Sequence, residues 1–213
     1  MRDKEKDTAE KAIRQQHAME TAFRLFAENG IDQVTMPDIA KESGVGRPSL
    51  YRYFSSKVDL VIAIGTSKWE EYIASYNNTI TQEARSRMPG AETLRWYMDA
   101  FLDLFRNHSN FLRFNYYFNS YLRREGPTQE QMADFLRLVD GLGADFHELY
   151  QKGMADGTLR SDIPEDFMFS STFHIMLAAV TRYAVGLVYK GTNPDSELVL
   201  LENALLREYI NAL

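Results

Sequence analysis

Residues 35–57, TMPDIAKESGVGRPSLYRYFSSK, admit few backbone solutions. Thr35 followed three residues on by Asp38 has the spacing of a capping box. Pro37 falls in the first turn of the helix this would open, where its missing N–H loses no partner. Ile39 and Ala40 give that helix a small apolar inner side. Gly44 suits the left-handed residue that ends a helix and lets the chain reverse. A second helix starts at Gly46 or Arg47, again with a proline, Pro48, in its first turn, and runs to Phe54. Two short helices joined by a turn of three or four residues containing glycine make a helix-turn-helix.

The second of these helices has the chemistry of a nucleic-acid reader. No acid lies between Glu42 and Asp59, while Arg47, Arg52 and Lys57 all fall there. Ser49, Tyr51, Tyr53 and Ser55 add neutral donors that reach phosphate oxygens. Arg47 stands at the helix start, where a recognition helix meets base edges, and its fork takes a guanine bidentately. On charge alone a second reading fits equally well: an amphipathic helix with a solvated basic side, its Tyr and Phe serving as core.

The wording of the motif separates the two. FAENGIDQVTMPDIAKESGVGRPSLYRYFSSKVDLV resembles the N-terminal DNA-binding region of the TetR/AcrR family of transcriptional regulators over roughly residues 8–65. Thr35, Ile39-Ala40, Gly44-Val45, Ser49-Leu50-Tyr51, Phe54 and Lys57 fall in register. The resemblance implies that Arg47, Pro48, Ser49, Arg52 and Tyr53 face the major groove and that Thr35, Tyr51 and Lys57 hold phosphates. Towards the C-terminus the match is in outline only.

Net charge opposes this reading in part. The 213 residues carry a formal −6, and residues 1–60 hold ten Lys/Arg against ten Asp/Glu. Positive charge must then be concentrated locally, and long-range steering towards DNA should be weak. With no cysteine, disulfides and thiol chemistry are excluded,. No apolar run spans a membrane and MRDKEKDTAEK lacks an apolar leader segment, so a cytoplasmic protein is expected. Arg2, Lys4 and Lys6 are placed to enter a minor groove, although a frayed, solvated start fits the same residues.

Period-3.6 stripes predict helices throughout, and the fold class is all-α: an N-terminal three-helix helix-turn-helix domain, residues 1–55, and a larger helical domain, 56–213, for effector binding and dimerisation. Ala12, Met19, Ala22, Phe23 and Phe26 line a helix over 7–29 that should share a small core with Leu50 and Phe54. Ser56 with Asp59 caps a long helix to about residue 78, the link between the domains. Residues 82–90 read as a loop. Helices follow over 91–107, over the aromatic run 111–121 with Tyr116 alone outside its arc, and over 128–154 with Met132, Phe135, Leu136, Val139, Leu142, Phe146 and Tyr150 inside. The last two, 164–189 and 194–212, each carry a second apolar or small-residue side, read as a dimer interface: Ser171, Ala178, Arg182 and Val185 on one, Leu198, Leu201, Leu205 and Tyr209 on the other.

An aromatic set, Trp69, Tyr72, Trp96, Tyr97, Phe101, Phe114, Tyr117, Phe118, Tyr121, Tyr150 and Phe173, with His147, is the candidate effector site. Packed core is the competing reading, and the polar tips of the inward Trp and Tyr favour a ligand. Four scattered histidines make no metal pattern, and no nucleophile or phosphate-loop motif appears, so no metal site, cofactor or catalytic residue is assigned. The expected partners are double-stranded operator DNA, a small-molecule effector and a second copy of the chain, without a membrane. The rival is an all-α ligand-binding protein or enzyme whose helix-turn-helix is only scaffold.

Overall fold

The structure, a computed structural model, describes residues 2–189 and 191–211, with the backbone alone for residues 2–7. The described elements are helical apart from an isolated bridge between Leu159 and Ile210, as the all-α reading expects. The chain divides into two compact units, Met1–Trp69 with Arg113–Phe135, and Glu70–Leu112 with Leu136–Leu213.

The first unit opens on α1, Arg2–Asn29. Its helical start precedes the predicted one by five residues, in keeping with a Lys- and Glu-rich segment of good helix formers. The side chains of Arg2, Lys4 and Lys6 lie outside the described residues. Ala12 faces solvent, and Ala18 takes its place on the buried side with Ala22 and Phe26. α2, Met36–Ser43, and α3, Arg47–Tyr53, follow, and α4 runs from Lys57 to Asn77. The local chemistry is the one the sequence encodes. The Thr35 Oγ1 accepts from Asp38 N at 3.3 Å and the Thr35 N–H donates to Asp38 Oδ2 at 2.9 Å, closing the capping box. Gly44 takes φ 66°, ending α2 in the left-handed conformation,. Ser56 Oγ accepts from Asp59 N at 3.1 Å at the start of α4.

α7, Ser109–Glu125, supplies this unit with its aromatic floor. Phe114 lies 5.6 Å from Phe23 and 6.4 Å from Phe26, centroid to centroid. Phe118 closes on α4 where Gly65 has no side chain; a Cβ there would stand 2.5 Å from the Phe118 ring. Thr128 and Gln131 then form another reciprocal cap at the head of α8, Gln129–Ala155.

In the second unit the segment read as a loop contains a short helix, α5, Gln82–Arg87. It buries no residue, so it has no apolar stripe to read, and Thr81 Oγ1 caps it by accepting from Ala84 N at 3.1 Å. α6, Gly90–Asn107, starts against the end of α8: Gly90 N donates to Asp156 Oδ2 at 2.7 Å and Ala91 N to Thr158 Oγ1 at 2.9 Å. The predicted helix over 164–189 is three pieces, α9 (Glu165–Thr172), a π turn (Phe173–Leu177) and α10 (Ala178–Ala184). Gly186, at φ 79°, stops it early, leaving Leu187, Val188 and Tyr189 exposed. α11, Pro194–Tyr209, runs antiparallel to α6, joined by Arg106 to Asp195 at 2.6 Å near one end and Arg95 to Asn203 at 3.2 Å near the other. Leu136 and Val139 of α8, expected inside, are exposed, while Phe135 meets Phe118 at 5.2 Å, centroid to centroid, and Phe146 is fully buried.

Candidate nucleic-acid interface and effector cluster

The helix-turn-helix holds α3 rigidly from behind. Leu50 is fully buried, Phe54 and Val45 nearly so, and Ile39 and Ala40 complete the small core. With these facing inward, the opposite side of α3 must face out: Arg47, Pro48, Tyr51 and Arg52 are exposed, Ser49 and Tyr53 half-buried. Arg52 Nη2 donates to Ser49 Oγ at 3.4 Å and its guanidinium lies 5.8 Å from the Tyr53 ring centroid. The result is a rigid convex strip carrying two guanidinium groups and hydroxyls, without a carboxylate of its own.

Two of the residues assigned to phosphates have other attachments. The Thr35 hydroxyl donates to Asp38 Oδ2 at 2.5 Å, and that bond with the Thr35 N–H holds the Asp38 carboxyl below its usual range. Lys57 is half-buried, its ammonium 5.4 Å from the Tyr121 ring and 5.8 Å from that of Phe26. Burial pushes its pKa down, against the pull of Asp32 and Glu125. Beside it Arg124 sits over the same Tyr121 ring at 5.3 Å and pairs with Asp32, whose carboxyl it holds low.

The aromatic residues proposed for an effector divide between the two units. Phe114, Tyr117, Phe118 and Tyr121 belong to the first, where they pack on α1, Gly65 and Lys57. Phe114, Phe118 and Tyr121 are core, because α7 turns its apolar arc onto α1 and α4, and Tyr117 is half-buried against Gly30. Trp69 is buried in the first unit as well. In the second unit Tyr97, Phe101 and Phe173 meet Phe146 and Phe169, which the sequence reading had not assigned to the site. Centroid separations run from 4.8 Å for Phe169–Phe173 to 6.2 Å for Tyr97–Phe173. The buried Tyr97 hydroxyl at this cluster has no hydrogen-bond partner, and burial, with Asp145 second, raises its pKa.

Elsewhere the polar tips find protein. Tyr72 donates to the Ala100 carbonyl at 2.5 Å and Tyr150 to that of Ile163 at 3.0 Å. Trp96 stacks 5.1 Å from Tyr76 and donates to Thr79 at 3.4 Å. His147 is exposed, its Nδ1 3.0 Å from the Glu165 carboxylate, so it stands on the surface and away from the aromatic cluster's buried side.

Of the residues assigned to a dimer, Ala178 and Arg182 are exposed and Ser171, Val185 and Leu201 half-buried. Leu198, Leu205 and Tyr209 are turned into the chain's own core instead, the Tyr209 hydroxyl 2.7 Å from that of Ser171. The outward side of the same helices carries Phe167, Ile175 and Leu200, exposed by 58, 39 and 65%. The sequence reading also missed Glu202, a carboxyl only 2% exposed. Periodicity would have marked it as the one charge on the Leu198–Leu205 stripe.

No helix among the described residues is long and apolar enough to cross a membrane, and no group of three or more potential ligands among them could hold a metal ion.

Residues 18–64 match the family model of bacterial regulatory proteins of the tetR family. A transcriptional repressor of Rhodococcus jostii, KstR2, is 26% identical over 184 residues, 84% of each chain. The uncharacterised transcriptional regulator YerO of Bacillus subtilis is 30% identical over 101 residues, 46% of this chain; the match spans about a third of YerO, 34% of its length. The solved FadR regulator of Bacillus subtilis, in complex with stearoyl-CoA, has the same fold at a TM-score of 0.66, with 20% identity, 90% of this chain and 95% of that one covered.

Proposed function

From the premise that this chain belongs to the TetR family of transcriptional regulators, we propose that it is a homodimeric repressor, released from a palindromic operator by a small, mostly apolar effector. The observation that carries the proposal is the exposed strip of α3. Arg47, Pro48, Ser49, Tyr51, Arg52 and Tyr53 are presented on a helix whose other side is locked into the core, with Thr35 and Lys57 at its flanks. Rigid presentation of donors is what base readout requires.

The effector reading rests on the second unit. Tyr97, Phe101, Phe146, Phe169 and Phe173 offer apolar and aromatic surface with one unanswered hydroxyl, the composition of a ligand site with a single orienting donor,. The FadR relative binds stearoyl-CoA, and a long apolar chain is an occupant this cluster suits. α4 is continuous from Lys57 to Asn77, so Tyr72, Tyr76 and the residues beside the helix-turn-helix lie on one helix. An effector favouring one position of α4 and an operator favouring another would oppose each other reciprocally, with a coupling of about 1–3 kcal/mol.

The dimer reading rests on Phe167, Ile175, Ala178 and Leu200, an outward apolar surface on α9 to α11 of the kind that marks association sites,. Selection from a random duplex pool tests the whole proposal. It should return inverted half-sites about one helical turn apart, bound by two chains, and Ala178→Asp or Leu200→Asp should convert the sedimenting species to monomer. Recovery of a single unpaired half-site, bound by one chain, would refute the dimeric operator complex.

A further inference from the structure

α1 and the turn between α2 and α3 enclose a cleft of about 280 Å³ within the first unit. Its walls are Ile13, Arg14 and His17 of α1, Ser43 at the end of α2, residues 44–46 of the turn, and Ser49 and Tyr53 of α3. The lining contains a guanidinium, an imidazole and three hydroxyl groups, and no carboxylate. Lys11, one turn before, brings its ammonium to 6.0 Å from the Tyr53 ring centroid, adding a second cation on the same side. A cleft lined this way offers hydrogen-bond donors and positive charge, and an occupant rich in acceptors and negative charge answers it.

The position of the cleft identifies the occupant. Ser49 and Tyr53 border it while belonging to α3, so a duplex engaged along α3 carries its own sugar–phosphate backbone to the opening. We infer that this cleft seats a backbone phosphate of the bound duplex, with Arg14 as its charged ligand and Lys11 and His17 beside it. The DNA interface then extends from the helix-turn-helix onto the middle of α1. The inference rests on the DNA-binding reading above and adds to it a set of contacts that neither the motif nor its wording contains.

Two further features fit. Ile13 is 69% exposed, an unusual place for a β-branched apolar side chain on an otherwise polar surface. A deoxyribose lying against the cleft would cover it. Arg14 is paired with Glu10 at 3.1 Å, both side chains largely exposed. Such an exposed pair within one helix is weak, so Glu10 can be displaced by a phosphate, and it competes with DNA for the guanidinium.

That competition gives the test two opposite signs. Dissociation constants are measured between 50 and 200 mM salt, for a mixed-sequence 30-base-pair duplex and for a duplex selected by the wild-type protein. Arg14→Gln should weaken both about three- to tenfold and lower the salt slope by about one. Glu10→Gln should tighten both. Arg47→Ala serves as the control and should reduce the preference for the selected duplex. If Arg14→Gln and Glu10→Gln leave affinity and slope unchanged while Arg47→Ala lowers the preference, the cleft holds no phosphate and the DNA-binding reading stands. If Arg47→Ala and Arg52→Ala are silent too, the reading underneath has failed and the inference falls with it.

Discussion

Glu202 places a pH-dependent fault in the second unit. Its carboxyl is 2% exposed, shares a hydrogen bond with Asp99 of α6, and leaves Oε1 without a partner. Burial first and the Asp99 carboxyl second push its pKa up from 4.5 to about 7, against smaller opposing pulls from Arg95 and Arg106. Arg106 is already held bidentately by Asp195, at 2.6 and 3.1 Å, so it compensates poorly. At pH below 4.5 the group is protonated whether the chain is folded or not, and it has no effect on stability. Between 4.5 and 7 the unfolded chain ionises while the folded one keeps its proton, so stability falls as pH rises. Above 7 the loss is complete, at about 3 kcal/mol for a displacement of this size. Glu202→Gln keeps the shape, removes the charge and can donate to Asp99. The variant should therefore be about 3 kcal/mol more stable than the parent at pH 8 and nearly equal to it at pH 4.5. Urea unfolding at fixed protein concentration, followed by tryptophan fluorescence at both pH values, reads this directly. If the two proteins change stability in parallel between pH 4.5 and 8, Glu202 is not the buried acid described.

Gly65→Ala should destabilise the first unit by about 1–3 kcal/mol, since its Cβ would stand 2.5 Å from the Phe118 ring,; thermal melting of Gly65→Ala with Phe118→Leu should recover part of the loss. Tyr97→Phe removes a buried hydroxyl with no partner, so it should raise stability by about 1 kcal/mol in the absence of effector. In the same protein, affinity for an effector that accepts from that hydroxyl should fall; a drop in unliganded stability would show that the hydroxyl is bonded after all.

What was legible in the sequence was local. Thr35 with Asp38 and Ser56 with Asp59 set helix starts within four residues of themselves, and the structure forms both. Gly44 likewise announced the turn that aims α3. Destinations were not legible. The arc of Phe114, Phe118 and Tyr121 gave the buried side of α7, but periodicity cannot say which helix covers an arc, and α1 with α4 covers this one. Leu198, Leu205 and Tyr209 formed a true stripe whose partner is the chain's own α6, α9 and α10 rather than a second copy. The π turn at Phe173–Leu177 escaped because no glycine or proline between 165 and 185 marks a break in the helical pattern. α5 escaped because its support is a cap and a Glu83–Arg87 pair, with nothing buried. Arg47 and Pro48 are exposed because a proline-marked first turn with a fully buried Leu50 turns the opposite side of α3 outward.

The account's central claim is that α3 reads sequence through Arg47, and the preference of wild-type and Arg47→Ala protein for a selected duplex over a mixed-sequence competitor tests it most directly. Both duplexes present the same phosphates, so the ratio of affinities isolates base recognition from charge. Arg47 is exposed at the first turn of a helix whose Leu50 is fully buried, so its removal should leave the fold intact. The account predicts that Arg47→Ala reduces the preference by about 1–3 kcal/mol, as for the loss of one bidentate base contact. Binding to the competitor should change far less. An unchanged ratio of affinities, with the variant folded, would contradict the claim.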